Sequence, residues 1–574
     1  MPKKRVELRI FNPRGEIEEN PIMPASPRLK DLKGKKIGII RIRIQAGEVL
    51  FPYLEKALKG RTPTTVWDTL EIPFTENADD RAARIKKVIK KYDGIVISMA
   101  ISGGSTTRLT PDAVHIEKLG KPVALIVTNC FQTTARFFAR SQGLEDLAVA
   151  PFAMDYVPPA EEIERLNLGE KVADEVIRAL TGWSPGPPVI EEVPEKVLVY
   201  NGASYQEAYE NMEKSFLQHG WSDGLPIVPP TEEAVNRMLE GTELLPEQFI
   251  AVFPPGQGKA TIEKIAINAV MAGCLPQYMP VILAAVDAIL DPAFDLVGVQ
   301  STSGQLAPLL IVSGQKLIEE LNINDSFCTL GPGWRANTAI GRALKLIMMN
   351  IGHTWPGIND MKAFGNPFRY VTLIGENEAA YSGAWEPLRV TEGFPRDQPT
   401  ISIMPAMSWQ PDLVLPTPPS VERIIAHITM QAKVKYDRYA NNCYYNNLVL
   451  ISPTAFDAIR REGVSKIELQ QALYEAIQLP GSLVFDGRER IGPIKFPQWV
   501  LDKHKADPDA PVPILLGPES LKICVTGGPG PDMIAYISTW GYGPSHFITK
   551  PVKLPANWED LLDRYKGWAS PTVK

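Results

Sequence analysis

A segment of small polar residues is the first feature whose chemistry suggests a binding site. It follows an apolar run at residues 95–97 and consists of Ser102, Gly103, Gly104, Ser105, Thr106 and Thr107. In an open α/β sheet, a segment at the carboxyl end of a strand lines the ligand crevice. Paired glycines let backbone N–H groups converge, and the hydroxyls add further donors. We therefore expect residues 102–107 to bind a small anion or carboxylate, although a tight turn without a ligand has a similar composition.

A thiol follows the next apolar run, at residues 123–127. Cys130 comes three residues after that run, so we expect it at the same edge of the sheet. A thiol near a helix N-terminus can have a lowered pKa and act as a nucleophile or base. The alternative is a buried structural cysteine. His115, on the helix between the two strands, is more typical of a packing or surface histidine.

A glycine-rich segment with an arginine leads into a later apolar stretch. Residues 331–333 are Gly-Pro-Gly, and the stretch after them predicts a helix with Asn337 or Thr338 as its N-cap. Orphan backbone N–H groups and a guanidinium would then meet at one place, which suits a carboxylate or phosphate. A capped helix with a salt-bridged arginine is the alternative. The candidate binding residues here are Trp334, Arg335, Asn337 and, if the helix starts early, Arg342.

Two carboxylates follow a strand predicted at residues 370–374. Glu376 and Glu378 at a strand end can supply a general base or hold a cation, whereas an exposed acidic turn is the alternative. His353 precedes them and is a further candidate for proton transfer. No spacing of ligand-type residues here matches a known zinc signature. We therefore predict neither a metal nor another cofactor.

Asp223 is the remaining candidate for substrate binding. It lies in Trp221-Ser222-Asp223-Gly224, where the Asp-Gly pair indicates a turn before it indicates a site. Residues 526–532, near the end of the chain, resemble a ligand-binding loop. They lack the lysine of a P-loop, so we do not expect nucleoside triphosphate chemistry.

The composition excludes several classes of protein. The 574 residues include 60 Lys and Arg and 66 Asp and Glu, and a net charge of −6 provides no chain-wide basic field for nucleic acid. No run approaches the roughly 18–20 uninterrupted apolar residues of a membrane span. The five cysteines form no CxxC pair, so we expect a reducing cytoplasm rather than disulfides. The expected partner is a small molecule, with no nucleic acid and no membrane.

Several folding units must position these residues. Residues 1–33 predict an N-terminal arm with an edge strand. Alternating strands and helices over residues 34–180 predict an α/β domain with a doubly wound, mostly parallel sheet. A proline-rich linker at residues 181–197 precedes a larger mixed α/β (α+β) domain at residues 198–415. Residues 416–574 predict a C-terminal α/β subdomain.

Punctuating residues predict where individual helices begin and end. After the strand at residues 95–97, Thr110 can cap a helix, Pro111 suits its first position, and Gly120 suits its end. Residues 261–272 and 281–290 are apolar on nearly every side. This pattern predicts two helices buried in a large core.

The glycine-serine segment resembles the motif of a known family. Residues 103–106 align with the Sec/Cys-Gly-Ser-Cys motif of the UGSC family of (seleno)proteins, and the resemblance covers roughly residues 34–160. That family in turn resembles the selenocysteine-bearing subunit of glycine, betaine and sarcosine reductases. The resemblance implies a pocket that prefers small substrates with a carboxylate or an amine.

The motif departs from the family at both redox positions. Gly103 stands where the family has selenocysteine or its first cysteine, and Thr106 stands at the second cysteine. A selenol or thiol redox mechanism therefore cannot be carried over to this segment. The second domain, with its stretches at residues 221–226, 269–274 and 331–338, resembles an uncharacterised family found alongside such domains.

Together these features predict an enzyme of small-molecule metabolism. We expect a lyase or hydrolase that cleaves or forms a carbon–heteroatom bond without redox chemistry, with its substrate between the first two domains. Residues 102–107 and Arg335 would hold anionic groups, while Cys130, Glu376 or Glu378 would move protons. Two alternatives remain, namely a thiol-dependent reductase or racemase-like enzyme using Cys130, and a non-catalytic ligand-binding or scaffold protein. The long apolar helices also favour a homo-oligomer.

Overall fold

The chain folds around one parallel and one mixed β-sheet, which confirms the predicted α/β class. The computed structural model describes most of the sequence, and the parts of the predicted arm, linker and 370–374 strand that it leaves out are outside the description below. The described residues are 5–17, 22–41, 45–72, 78–153, 159–186, 195–369, 373–435, 446–485, 497–539 and 547–568.

The strands in chain order are β1 (Val6–Phe11), β2 (Lys36–Arg41), β3 (Val66–Glu71), β4 (Gly94–Ala100), β5 (Val123–Thr128), β6 (Val149–Phe152), β7 (Val197–Gly202), β8 (Phe249–Phe253), β9 (Gly258–Thr261), β10 (Ala307–Ser313), β11 (Leu373–Gly375), β12 (Thr400–Leu413), β13 (Asn447–Ile451), β14 (Gln478–Pro480), β15 (Pro511–Pro513), β16 (Leu521–Val525), β17 (Met533–Thr539) and β18 (Ile548–Pro551).

The helices in chain order are α1 (Gln45–Arg61), α2 (Ala78–Val88), α3 (Gly103–Lys118), α4 (Gln132–Ser141), α5 (Glu162–Thr181), α6 (Tyr205–Gln218), α7 (Glu232–Leu239), α8 (Ile262–Met271), α9 (Met279–Leu290), α10 (Leu296–Ser301), α11 (Gln315–Leu321), α12 (Arg335–Asn350), α13 (Leu388–Thr391), α14 (Val421–Lys435), α15 (Pro453–Arg461), α16 (Lys466–Ala476), α17 (Gly481–Phe485), α18 (Gln498–Ala506) and α19 (Trp558–Arg564).

The N-terminal half contains the predicted doubly wound parallel sheet. Its order is β3-β2-β4-β5-β6, and every pairing is parallel. Alternate side chains of β4 enter different cores: Val96 packs towards α1 and α5, while Ile95 and Ile97 pack towards α3 and α4. Both faces are covered, and β4 and β5 are buried along their whole length, as expected for central parallel strands.

The mixed sheet combines strands from two of the predicted units. Its order is β11-β10-β12-β17-β13-β16, with β18 also paired to β12. Strand β12 continues through Pro411, where the proline-rich sequence had suggested a separation. Since β10 to β12 precede residue 415 and β13 to β18 follow it, the predicted boundary at residues 415/416 does not separate two sheets.

A helical core covers one face of the mixed sheet. Helices α8 and α9 are buried on nearly all sides, as predicted, and pack with α12 against β10 and β12. The predicted edge strand of the arm is confirmed as β1, which pairs antiparallel with β7 rather than with the parallel sheet. The N-terminal arm therefore packs with the helical core, to which Leu8 and Ile10 contribute.

Two predicted helix starts are wrong. Helix α3 begins at Gly103 and contains Pro111, so Thr110 is not its cap. Helix α12 begins at Arg335 with Trp334 at its N-cap position, so neither Asn337 nor Thr338 caps it. At α3, Ser102 and Ser105 already cap the helix terminus, whereas at α12 the Asn337 side chain is held by the backbone of Asn324 and Leu373. Across the described residues, no helix has both the length and the apolarity needed to cross a bilayer.

Candidate functional site

The polar segment at residues 102–107 forms the N-cap and first turn of α3. The Ser102 hydroxyl accepts a hydrogen bond from the Ser105 backbone N–H at 3.1 Å, and Ser105 Oγ accepts one from the Ser102 N–H at 3.0 Å. This reciprocal cap satisfies two backbone donors. The Thr106 hydroxyl donates to the Ser102 carbonyl at 2.8 Å. The hydroxyls thus serve the helix itself, and all six residues are buried.

Helix α10 packs directly onto this first turn. A side chain at Gly103 would overlap the carbonyl oxygen of Ser301, and the hydroxyls of Thr107 and Ser301 lie 2.9 Å apart. An ion pair between Arg108 and Asp295 fastens the same contact. The two halves of the chain therefore meet at the carboxyl edge of the parallel sheet, where α/β proteins commonly bind ligands.

A cluster of three cations around one carboxylate lies beside this contact. Lys362 Nζ donates to Asp360 Oδ1 at 3.1 Å and to the Gln300 carbonyl at 2.8 Å, and Arg369 forms an ion pair with Asp360. Lys345 of α12 is close enough to interact electrostatically with all three charged groups. We call Lys345, Asp360, Lys362 and Arg369 the cationic cluster. Within the cluster Asp360 is the single carboxylate beside three cationic groups, and Asp223, which is paired with Arg342, adds a weaker attraction to Lys345.

Burial and mutual repulsion shift the pKa values of this cluster. Burial lowers the pKa of Lys345 from 10.5 to about 7, and the charges of Arg369 and Lys362 act in the same direction. Burial likewise lowers the pKa of Lys362 to about 8, against the opposing charge of Asp360. Burial alone would raise the pKa of Asp360, but its cationic neighbours outweigh it and lower the value to about 2. An amine that is partly neutral near pH 7 can act as a base or nucleophile.

The surroundings of the cluster add further positive potential and an unused donor. Gln300 is 3% exposed, and its side-chain Nε2 has no hydrogen-bond partner. Met361, between Asp360 and Lys362, lies beside Gly103 at the N-terminus of α3. Because a helix N-terminus carries partial positive charge, the cluster and α3 favour the same kind of ligand. Both would attract an anion.

A known family matches the part of the chain that contains residues 102–107. Residues 9–182 match the model of the UGSC family. The match extends beyond the predicted 34–160 on both sides and includes part of β1. We call residues 9–182 the UGSC segment. No curated protein shows a significant match to the chain.

The two positions at which the resemblance implies redox residues are both packed in the structure. Gly103 packs against Ser301 as described above, and Thr106 is completely buried inside the first turn of α3. Helix α10 lies outside the UGSC segment. The second half of the chain thus occupies the space that a thiol or selenol at position 103 would need.

Two predicted binding residues pair with each other. Arg342 donates to both carboxylate oxygens of Asp223 at 2.8 Å, and its other N–H group reaches the Leu225 carbonyl at 3.0 Å. The turn that contains Asp223 is thereby fastened to α12. Bidentate pairing of this kind uses most of the donors that a substrate would need.

Arg335 and Asn337 lie apart from the cationic cluster. Arg335 Nε donates to the Gly273 carbonyl at 3.0 Å, and its guanidinium lies over the Trp568 ring at 5.7 Å. Asn337 is fully buried, accepts from the Asn324 N–H at 2.7 Å and donates to the Leu373 carbonyl at 2.9 Å. Trp334, at the N-cap position, contributes no side-chain cap.

Glu376 and Glu378 form a buried network and not an exposed turn. Glu376 is 0% exposed and accepts from Tyr381 Oη at 2.6 Å, the Leu388 N–H at 2.8 Å and the Ser313 hydroxyl. Burial raises the pKa of Glu376. Glu378 forms an ion pair with Arg389. The network is well supplied with donors, which is typical of a structural carboxylate.

His353 is held in a neutral form by its contacts. It is 1% exposed, its Nε2 lies 2.9 Å from the Gly15 carbonyl, and its Nδ1 lies 2.8 Å from Arg14 Nη2. Since a carbonyl only accepts and a guanidinium only donates, Nε2 carries the proton and Nδ1 accepts. Burial and the Arg14 charge lower the pKa of His353 to about 3. Both ring nitrogens are therefore engaged in holding the N-terminal arm.

The cysteines occupy different environments. Cys130 is exposed after β5, with its Sγ 3.4 Å from the Thr128 hydroxyl. Cys274 is buried, its thiol donates to the Ala339 carbonyl at 3.2 Å, and burial raises its pKa. Among the described residues, no three His, Cys, Asp or Glu side chains come together as a metal site.

Sequence reasoning missed most of the cationic cluster. Lys345 stands between Leu344 and Leu346 in a helix whose neighbouring positions are largely apolar and buried. A lysine within such a stretch is a signal, because a charged side chain among buried apolar neighbours is uncommon unless it is paired or functional. Lys362 and Arg369 belong to irregular segments, and their local sequence gives no comparable signal.

Proposed function

We propose that the protein is an enzyme that acts on a small carboxylate at the interface between the UGSC segment and the second half of the chain. The reaction is a non-redox cleavage or formation of a carbon–heteroatom bond, catalysed as by a lyase. The observation that carries the proposal is Lys345, whose amine has a pKa of about 7 among two further cations and one carboxylate.

The three cations of the cluster have separate roles in the proposed reaction. Neutral Lys345 removes a proton from the carbon next to the substrate carboxylate, and the electron pair expels a heteroatom group from the adjacent carbon. Lys362 and Arg369 stabilise the negative charge that builds on the carboxylate. The Lys345 ammonium then returns its proton to the leaving group, so the products are an unsaturated carboxylate and the protonated leaving group.

The unequal charges of the cluster support an anionic substrate. Buried charges usually occur with a partner, and here Asp360 serves Lys362, Arg369 and Lys345 together. A bound carboxylate would reduce this imbalance, and the Gln300 amide offers it a further donor. We further propose that the UGSC segment is related to the selenocysteine-bearing subunit of glycine reductases and has a similar pocket without the redox pair. We also propose that the protein is a homo-oligomer in the cytoplasm. Light scattering tests the oligomer, and cell fractionation tests the location.

A two-stage experiment tests the proposal. Thermal unfolding is first measured with acetate, lactate, malate, aspartate, β-alanine and phosphate, since a ligand at 100 times its Kd stabilises a protein by about 2.7 kcal/mol. Each stabilising compound is then incubated with the protein, and proton NMR records the appearance of vinyl protons. Lys345→Met should keep the ligand-induced shift in Tm and lose turnover, whereas Arg369→Met should lose the shift. Lys171→Met, at an exposed position of α5, is the matched control and should behave as the wild type.

The same experiment separates the two alternative functions. Turnover that stops after alkylation with iodoacetamide or in Cys130→Ser would favour the thiol-dependent enzyme. Saturable binding without turnover would favour a ligand-binding protein, a function supported by the packing of Gly103 against Ser301. If no carboxylate shifts the Tm, or if Lys345→Met turns over normally, the proposed role of the cationic cluster is wrong.

A further inference from the structure

A cavity lies at the start of α12, away from the cationic cluster. It has a volume of about 360 Å³ and is formed by α7, the end of α8, the start of α12 and the segment after α19. Arg335 lines it, ten residues before Lys345, which corresponds to about 15 Å along the helix axis. Its volume falls at the lower end of the range for small-molecule pockets, about 300–1,000 Å³.

The walls of this cavity are mainly apolar. Aliphatic and aromatic side chains surround a short stretch of backbone, the thiol of Cys274 and two arginines, Arg335 and Arg237, of which Arg237 is paired with Glu233. The apolar lining includes Val228, Met238, Val270, Leu275 and Trp568. Such walls accept a hydrocarbon or aromatic body and give no hydrogen bonds to it.

Arg335 is the unusual polar group in this setting. Within the described residues no carboxylate pairs with it, and its contacts are the Gly273 carbonyl through Nε and the Trp568 ring. Arg342, seven residues later on the same helix, donates to both oxygens of Asp223. The terminal N–H groups of Arg335 therefore have the donor geometry for a carboxylate, but the part of the chain that the structure describes supplies a carboxylate to Arg342 and none to Arg335.

A second unpartnered group lies nearby. Tyr278 is completely buried, and its hydroxyl has no hydrogen-bond partner. Tyr278 interacts electrostatically with Cys274 and Arg335, both of which line the cavity. A buried hydroxyl without a partner is costly, and a ligand oxygen held by Arg335 would lie in the same neighbourhood.

We propose that this cavity binds a small monocarboxylate with an apolar body, of the size of benzoate. The carboxylate is held by the terminal N–H groups of Arg335, and the apolar part packs among Val228, Met238, Val270 and Leu275. The exposed Trp568 lies over the guanidinium at the mouth of the site. This site is independent of the cationic cluster and of the reaction proposed there.

Ligand-observed NMR with benzoate tests the proposal on the full-length protein. Saturation-transfer titrations of benzoate are compared with those of benzamide, which has the same shape without the charge, and acetate, which has the charge without the apolar body. Benzoate should saturate, and the other two should bind at least about tenfold more weakly. Arg335→Met should weaken benzoate binding at least about tenfold, and Arg335→Lys should recover part of it.

Two further variants keep the test decisive. Arg564→Met removes an arginine that is already paired with Glu240, so it should leave benzoate binding unchanged. Ala234→Phe fills the cavity from α7 while retaining Arg335, so it should abolish binding even if Arg335→Met fails to fold. Equal binding of benzamide and benzoate, or benzoate binding that survives Ala234→Phe in a folded protein, would overturn the proposal, as would failure of benzoate to saturate the wild type.

Discussion

The Glu376 network and the cationic cluster differ in how their charged groups are compensated by neighbouring side chains. In the network around Glu376, the carboxylate accepts hydrogen bonds from two hydroxyls and a backbone N–H, and Glu378 has Arg389. In the cationic cluster, a single Asp360 serves three cations. The first network is complete within the chain. Among the described residues, the second has more cationic groups than carboxylates.

This difference separates a structural role from a functional one better than residue type does. Two neighbouring glutamates look like catalytic carboxylates in the sequence, but their donors are already in place and their side chains are buried in the mixed sheet. A lysine within an apolar helix looks like a packing residue, yet burial and its cationic neighbours lower its pKa to about 7. Charge that the fold leaves uncompensated is the better indicator of a ligand.

The largest expected effect is a loss of stability when the network around Glu376 is disrupted. Glu376→Ala removes the acceptor for Ser313 and Tyr381, and it should reduce the free energy of unfolding by about 3–5 kcal/mol. Denaturant unfolding measures this loss. Glu386→Ala, which breaks the exposed pair with Arg396, is the control and should cost at most about 1 kcal/mol. A stable Glu376→Ala protein with selectively lost turnover would reverse the comparison and make Glu376 catalytic.

The contact that positions the cationic cluster is the next target. Gly103→Cys restores the family's residue at a position where its side chain would overlap the Ser301 carbonyl, so overpacking should destabilise the protein by about 1–3 kcal/mol. Thr106→Cys, at the other motif position, replaces a side chain of similar size and should cost less. Thermal unfolding of both variants provides the measurement. Equal stability of Gly103→Cys and wild type would mean that α10 can move away from α3.

The smallest expected effect is a gain in stability. The folded protein binds a proton at Lys345 only below about pH 7, whereas the unfolded chain retains it up to its ordinary value of 10.5. The Lys345 charge therefore lowers the free energy of unfolding by its full amount below pH 7, and this loss disappears as the pH rises towards 10.5. Lys345→Met should raise the Tm at pH 6 and lose this advantage by pH 10. Destabilisation at every pH would show that the cluster is balanced after all, like the Glu376 network.

Much of the fold follows from local sequence patterns. The uninterrupted apolar runs of β4 and β5 predicted a doubly wound parallel sheet, and the all-round apolarity of α8 and α9 predicted their burial. The helix start at Thr110 was wrong because Ser102 and Ser105 form an earlier cap, and a proline is tolerated at position 111. The boundary predicted at residues 415/416 does not coincide with the edge of a sheet, because β12 continues through Pro411 and later strands join the same sheet.

The sequence by itself determined the class of the fold, the core helices and the absence of a thiol at the motif positions of the UGSC segment. These properties depend on periodicity and on single residue types, which are local. Only the tertiary structure decided which polar residues meet. It paired Asp223 with Arg342, buried Glu376 among its own donors, and brought Lys345 to Asp360, Lys362 and Arg369. The physical reason is that a charge acquires its pKa from neighbours that are distant in sequence, and no local pattern specifies those neighbours.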